Sequence, residues 1–340
     1  MGWARTRAGG RVQLPARDPR HCGGGVGRKP PHGRRRSGRR RGAARRRLPR
    51  RVRERDLVDP VPRDAVAAGP LLPLRPVQLG GGCADDRLRL VARLTLDGVA
   101  ATELAARWSV PQCGLFRRLG STLDAIHDLG THGAPAGTAV IAEEQTAGRG
   151  RDGRTWHSPV GGVWLGLLLR PAHSVVGAVA IRAGLAVADA VDALLGAPGT
   201  RLKWPNDVLL DDRKIAGILC EGRWQGDRLQ WLAVGVGVNV CNTVPAAVGR
   251  PAMALKERLP QVRRLDLLDR LVPALVSIGG LEPALSEREC AAFAARDWLR
   301  GRQLRSPAAG RAGGLRPDGA LLVDLGAGTI GVREGHVELA

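Results

Sequence analysis

Two apolar runs, Thr138–Glu144 and Gly162–Arg170, flank a polar stretch that reads EEQTAGRGRDGRTWHSP from Glu143 to Pro159. Each run is of strand length, and the second, GVWLGLLLR, has no polar alternation. That pattern predicts a strand covered on both faces. The stretch between them interleaves Gly148, Gly150 and Gly153 with Arg149, Arg151 and Arg154. Glycine bends sharply and lets backbone approach a ligand closely. Arginine supplies a planar, permanently charged fork that matches carboxylate and phosphate. The arrangement predicts a pliant cationic loop held between two buried strands and closing over an anion; a solvated basic hairpin is the plainer alternative. The same glycines satisfy GxGxxG, but a dinucleotide fold needs a helix directly after them. Pro159, Gly161 and Gly162 forbid that helix, and a strand follows instead.

Composition decides how much weight each cation carries. The chain of 340 residues holds 49 arginines and four lysines, Lys29, Lys203, Lys214 and Lys256. A single arginine therefore says little, and a lysine says more. The net charge of +21 is concentrated in residues 1–63, which carry +17, leaving +4 for the rest. A nucleic-acid argument based on charge thus concerns only the first segment. Six cysteines show no CxxC spacing, which points to neither a disulfide framework nor a zinc site and makes a reduced, cytoplasmic setting the default. The longest apolar run is too short to span a bilayer.

Residues 1–85 are dominated by Arg, Gly and Pro, as in GRRRSGRRRGAARRRLPRR from Gly33 to Arg51, and offer too few apolar side chains for a core. The favoured reading is a disordered or spurious extension. An arm that binds phosphates and an organellar targeting segment are the alternatives, the latter disfavoured by the near absence of serine. From Asp86 the texture becomes globular. Ala101–Trp108 predicts a short helix that resembles half of a helix-turn-helix, with no second helix before Gly120, so a DNA reader is not expected. Ser121 or Thr122 caps a helix running to Leu129. A long helix is predicted over 178–195. Short strands follow at 201–204, 208–210, 214–221 and 229–240, and helices at 265–278 and 287–298. After Leu299, short strands with Gly-rich turns suit a small barrel.

Lysines occur at the edges of two apolar strands, Lys203 in LKWPNDVLL and Lys214 in DRKIAGIL. Lys214 reads equally well as a solvated hairpin charge. Taken with GST at Gly120–Thr122 and VGVGVNV near Asn239, the blocks EQTAGRGRDGRTWHSP and RLKWPNDVLLDDRKIAGIL resemble the biotin protein ligase family, in order and spacing, over residues 100–340.

The resemblance implies an α+β fold: a class II aminoacyl-tRNA synthetase-like catalytic domain with a mixed sheet over 86–297, then an SH3-like β-barrel over 298–340. It implies biotin and Mg-ATP as substrates, no tightly bound cofactor and no assigned metal ligands. The partner would be a biotin carboxyl carrier protein, with a homodimer admitted and no nucleic acid or membrane. Carried over residue by residue, Ser121, Thr122, Leu123, Gln145 and Gly217 would hold biotin beneath Arg149, Gly150 and Arg151. Lys203 would bridge the biotin carboxylate and the α-phosphate, and Arg149 and Arg151 would hold the same anions from above. Trp156 would pack on adenine, with Arg154 and Asn239 contacting the triphosphate and adenosine. Asp152 stands where a second basic residue is common. Where many family members place a winged helix-turn-helix, this sequence has the Arg/Gly/Pro stretch, so the resemblance carries the ligase activity and leaves a repressor role unassigned. A truncated chain starting near Asp86 is expected to keep full activity. The related lipoate-protein ligases would show an RRxxGGG-type loop, which this sequence lacks.

Overall fold

The computed structural model describes residues 94–171, 176–245 and 251–340. The expectations for residues 1–85, and the boundary placed near Asp86, lie outside the described residues. Everything described falls in one unit, Leu72–Ala340.

The chain enters through a tight hairpin, β1 (Thr95–Leu96) and β2 (Val99–Ala100), whose Asp97-Gly98 turn has positive φ at both positions. An Asp-Gly pair takes that turn at low cost. Helix α1 (Ala101–Arg107) follows, where a helix is predicted. Next comes β3 (Cys113–Leu119), a strand the sequence reading left unassigned. It is an edge strand, and Arg117 and Arg118, both exposed, break the apolar pattern that would have announced it. Helix α2 (Thr122–Thr131) begins at Ser121, whose Oγ accepts from the Leu123 N–H at 3.3 Å.

Strand β4 (Ala139–Gln145) pairs parallel with β3, and β5 (Val163–Leu169) pairs antiparallel with β4. All seven residues of β5 are buried, as the unbroken apolar run requires. Helix α3 (Val176–Leu195) leads to the short strands β6 (Thr200–Lys203) and β7 (Asp207–Leu210). The long hairpin β8 (Arg213–Gln225) and β9 (Arg228–Val238) completes a seven-stranded mixed sheet of order β3-β4-β5-β9-β8-β7-β6. Two apolar clusters cover its two faces. One contains Leu123 and Ile126 of α2 against Leu168; the other gathers α3 and α4 (Arg264–Ser277) against Val163, Leu165 and Leu167.

Helix α5 (Glu287–Arg296) is tied to α3 by a buried cation. Arg182, 6 % exposed, donates to both Glu289 carboxylate oxygens (2.6 and 3.2 Å) and to the Glu282 and Ala284 carbonyls, both at 2.7 Å. The Arg182 hydrogen bond, opposed by partial burial and helped by Ser286, holds the Glu289 carboxyl at about 2, against an ordinary 4.5. A depressed carboxylate contributes stability above its unfolded pKa and loses it as pH falls through the folded value. Arg182→Met is expected to cost ~3–5 kcal/mol, because it strands a half-buried carboxylate and two carbonyls. In thermal unfolding the midpoint should drop by about 10 °C at pH 7. The gap between wild type and variant should close as pH is lowered from about 4.5 towards 2, and an undiminished gap at pH 2.5 would show that the pair is not its source.

The last strands, β10 (Gln303–Ser306), β11 (Gly310–Leu315), β12 (Leu321–Asp324), β13 (Thr329–Val332) and β14 (Glu338–Leu339), form a separate antiparallel sheet of order β13-β12-β11-β10-β14. It stands where the small barrel is expected. It is moored to the main sheet by the Trp204 indole N–H, which donates to the Gly319 carbonyl at 2.9 Å.

Candidate functional site

The stretch from Gln145 to Ser158 is a folded hairpin. Backbone bonds join Gln145 N to Ser158 O (3.0 Å), Trp156 N to Gly148 O (2.9 Å) and Gly150 N to Arg154 O (2.7 Å), and a 3-10 turn at Arg151–Gly153 closes its tip. Asp152 there has φ of 57°, a left-handed conformation that Asp tolerates. The backbone is therefore not extended past Gly150. Arg149 and Arg151 therefore do not occupy alternate positions of one extended strand. A strand follows the hairpin, so no dinucleotide-binding helix exists there.

The root of the hairpin is pinned by Gln145. Its Oε1 accepts from the Thr122 N–H (2.8 Å) and hydroxyl (3.1 Å) at the start of α2, and its Nε2 donates to Ser158 Oγ at 2.8 Å. Helix start, strand end and returning loop are thus fixed together at the rim of one cleft of about 370 Å³. That volume lies in the range of small-molecule pockets.

Every residue singled out in the sequence lies on this cleft: Ser121, Thr122, Leu123, Gln145, Arg149, Gly150, Arg151, Arg154, Trp156, Lys203, Gly217 and Asn239. They come from α2 and its cap, β4, β6, β8, the hairpin and the residue that follows β9, and the register of the sheet explains their meeting. Lys203 is opposite Asp207, Asp207 opposite Gly217, and Gly217 opposite Gly237, so these four form one row across β6, β7, β8 and β9. The two glycines leave room for the indole of Trp156. A Cβ on Gly237 would come within 2.5 Å of Trp156 Nε1, and one on Gly217 within 3.0 Å of its six-membered ring. The Trp156 Nε1 is buried and has no hydrogen-bond partner. Asn239 is buried, and its Oδ1 accepts from Asn242 Nδ2 at 3.0 Å.

The sequence reading did not place Lys214 in the site, yet it lines the cleft. Its ammonium is 2.6 Å from Asp207 Oδ1 and 5.0 Å from the centroid of the Trp156 ring. A β-bulge accounts for this. Lys214 and Gly217 are three positions apart, so a regular strand would put them on opposite faces. The register shift between Val208 and Leu209 pairs Leu209 with Lys214 and brings the lysine round to the Gly217 face. Lys203, by contrast, has its ammonium 5.1 Å from the centroid of Trp298, in the segment leading to the terminal sheet. The reading also missed Gly335, His336 and Val337, which reach the cleft from that sheet. Nothing in their local sequence signals this.

Among the described residues no group of three His, Cys, Asp or Glu side chains could hold a metal on its own. The carboxylates on the cleft wall are Asp152 and Asp207. That suits a magnesium ion delivered by a nucleotide, which usually needs only one or two protein carboxylates beside the phosphates. Among the described residues no helix is long and apolar enough to cross a membrane.

Comparison with known proteins agrees with this architecture. Residues 115–239 match the model of the biotin/lipoate A/B protein ligase family. The chain is 31 % identical over 234 residues to the bifunctional ligase/repressor BirA of Bacillus subtilis, covering 65 % of this chain and 72 % of that one. It is 34 % identical over 218 residues to the biotin–[acetyl-CoA-carboxylase] ligase of Mycobacterium tuberculosis, covering 59 % and 78 %. The solved structure of the Aquifex aeolicus biotin protein ligase in complex with biotin and ATP superposes with a TM-score of 0.56 at 26 % identity, over 68 % of this chain and 99 % of that one. Shared sequence over most of two curated ligases, and a shared fold over nearly the whole of a third, establish that this chain belongs to the biotin protein ligase family.

Proposed function

We propose that the chain couples biotin to a carrier protein in two steps, and that the cleft assembled around the Lys203–Asp207–Gly217–Gly237 row is where both occur. A biotin carboxylate oxygen attacks the α-phosphorus of ATP. A new P–O bond forms, the α–β bridging P–O bond breaks, and magnesium pyrophosphate leaves. The neutral amine of one carrier lysine then attacks the acyl carbon of biotinyl-5′-AMP, loses a proton and expels AMP, leaving an amide.

The observation that carries this reading is the placement of cations around one apolar-floored cleft. Lys203 and Lys214 rise from the sheet side, and Arg149, Arg151 and Arg154 stand on the hairpin side. Bringing a carboxylate against a phosphate is repulsive, and a single aimed charge is worth ~10²- to 10³-fold in rate. Lys214, beside the Trp156 ring and Gly217, is the ammonium best placed to bridge the two anions, with Lys203 supporting it from the next strands. Ser121, Thr122, Leu123, Gln145 and Gly217 offer the ureido ring hydrogen bonds and an apolar bed. Trp156 gives adenine a ring to lie against, Arg154 and Asn239 complete the nucleotide contacts, and Asp207 is the carboxylate available to the magnesium that arrives with ATP. The carrier is the biotin carboxyl carrier protein of a carboxylase such as acetyl-CoA carboxylase. The catalytic domain spans 86–297 and the terminal domain 298–340, in a cytoplasmic protein able to form a homodimer.

The test is transfer to an apo carrier protein in the presence of biotin and Mg-ATP, read by mass spectrometry. One biotinyl adduct on one lysine is the expected product, and an unmodified carrier contradicts the reading. Arg151 at the hairpin tip caps the mixed anhydride against water. Arg151→Ala is expected to release free biotinyl-AMP and to label lysines on bystander proteins. Bystander labelling no greater than wild type would remove Arg151 from that role.

A further inference from the structure

Arg149 does not present a bare cation to the cleft. Its Nη1 donates to Asp124 Oδ1 at 2.5 Å, while its Nε and Nη2 donate to Glu221 Oε1 and Oε2 at 3.2 and 3.0 Å. Glu221 is itself anchored. The Trp231 indole N–H donates to His127 Nδ1 at 3.2 Å, and His127 Nε2 is 3.0 Å from Glu221 Oε2. An indole nitrogen can only donate, so in the neutral imidazole the proton resides on Nε2 and is given to Glu221. The result is a relay, Trp231 to His127 to Glu221, that fixes one side of the guanidinium with paired bonds. The other side rests on one bond to Asp124, whose side chain is 61 % exposed.

We propose that Glu221, locked by His127, and Asp124 form an asymmetric cradle for Arg149, in which Glu221 is the permanent positioning residue and Asp124 is a stand-in that the incoming biotin carboxylate displaces. This rests on the reading above that Arg149 meets the substrate anion. The cradle keeps the guanidinium at the cleft before substrate arrives, so its orientation need not be found during the reaction. The bidentate Glu221 contact survives substrate binding, because three donors hold it. The exposed Asp124 contact is the weak one, since surface ion pairs contribute little. Asp124 and the substrate therefore compete for one fork of the same cation.

The experiment measures biotin affinity by calorimetry and single-turnover adenylate formation on the full chain, with circular dichroism as a check of folding. Asp124→Asn is expected to tighten biotin binding ~2- to 5-fold. Glu221→Gln is expected to slow adenylate formation at least ~10-fold per folded enzyme. His127→Phe, which keeps a ring but removes the N–H, should slow it in the same direction and carries the test if Glu221→Gln does not fold. Arg149→Ala separates this idea from its premise. If that variant binds biotin and forms adenylate like wild type, the placing of Arg149 at the substrate anion fails. If it is impaired while Asp124→Asn binds biotin no tighter than wild type, the stand-in role is overturned. A wild-type rate in both Glu221→Gln and His127→Phe overturns the positioning role.

Discussion

Replacing Lys214 with alanine is expected to slow biotinyl-adenylate formation at least ~10²-fold, more than the same change at any other cation of the cleft. The ammonium lies 2.6 Å from Asp207 and 5.0 Å from the Trp156 ring, beside Gly217. Removing it leaves the two reacting anions without their nearest shared charge and leaves Asp207 unpaired on the wall. Lys214→Arg should not restore the rate, because the planar fork needs space that the neighbouring indole fills. Lys203→Ala should also be defective by ~10²-fold, since Lys203 ends the row that runs through Asp207 and Gly217. Quenched-flow measurement of adenylate with radiolabelled ATP ranks the two. A Lys214→Ala enzyme within a few-fold of wild type would remove that residue from the chemistry and return the bridging role to Lys203 alone.

Gly237→Val is expected to raise the KM for ATP at least ~10-fold while leaving the chain folded. A Cβ at this position falls 2.5 Å from the Trp156 indole nitrogen, and the further methyls of valine intrude more deeply. Valine suits a strand, so β9 itself is not strained. The indole, fixed only through a hairpin, is what must move. Losing one aromatic stacking surface costs ~1–3 kcal/mol, which brackets a tenfold effect. Trp156→Ala should reproduce the KM change without steric insertion. If Gly237→Val keeps the wild-type KM, the seat of the indole on the two glycines is not what prepares the nucleotide site.

Much of this arrangement was legible in the sequence because it is encoded locally. The unbroken apolar run at Val163–Leu169 reads as a strand buried on both faces, and Pro159, Gly161 and Gly162 before it argue against a nucleotide-binding helix. The Ser121 cap and the long Ala/Val helix followed from the same kind of reasoning, and the biotin and nucleotide residues read from the motifs all reach one cleft. What escaped was set by register and by contacts distant in sequence. Lys214 faces the site because a bulge skips one residue, and a period-two reading of the strand turns it outward. Strand β3 hides behind two arginines because it is an edge. The backbone bonds that close the loop from Gln145 to Ser158 are likewise not written in its glycine and arginine pattern. The Asp124 and Glu221 carboxylates that hold Arg149 lie 25 and 72 positions away from it. Gly335–Val337 reach the cleft from the terminal segment, whose Gly319 carbonyl accepts from Trp204.

Activation of a biotin carboxylate with ATP in this cleft is reversible up to the adenylate. Exchange of radiolabelled pyrophosphate into ATP, run with the purified chain and magnesium, tests it without requiring any carrier protein. Rapid exchange that depends on added biotin and is absent with lipoate is the expected result. Exchange that responds to lipoate instead, or no exchange with biotin at saturating ATP, would contradict it.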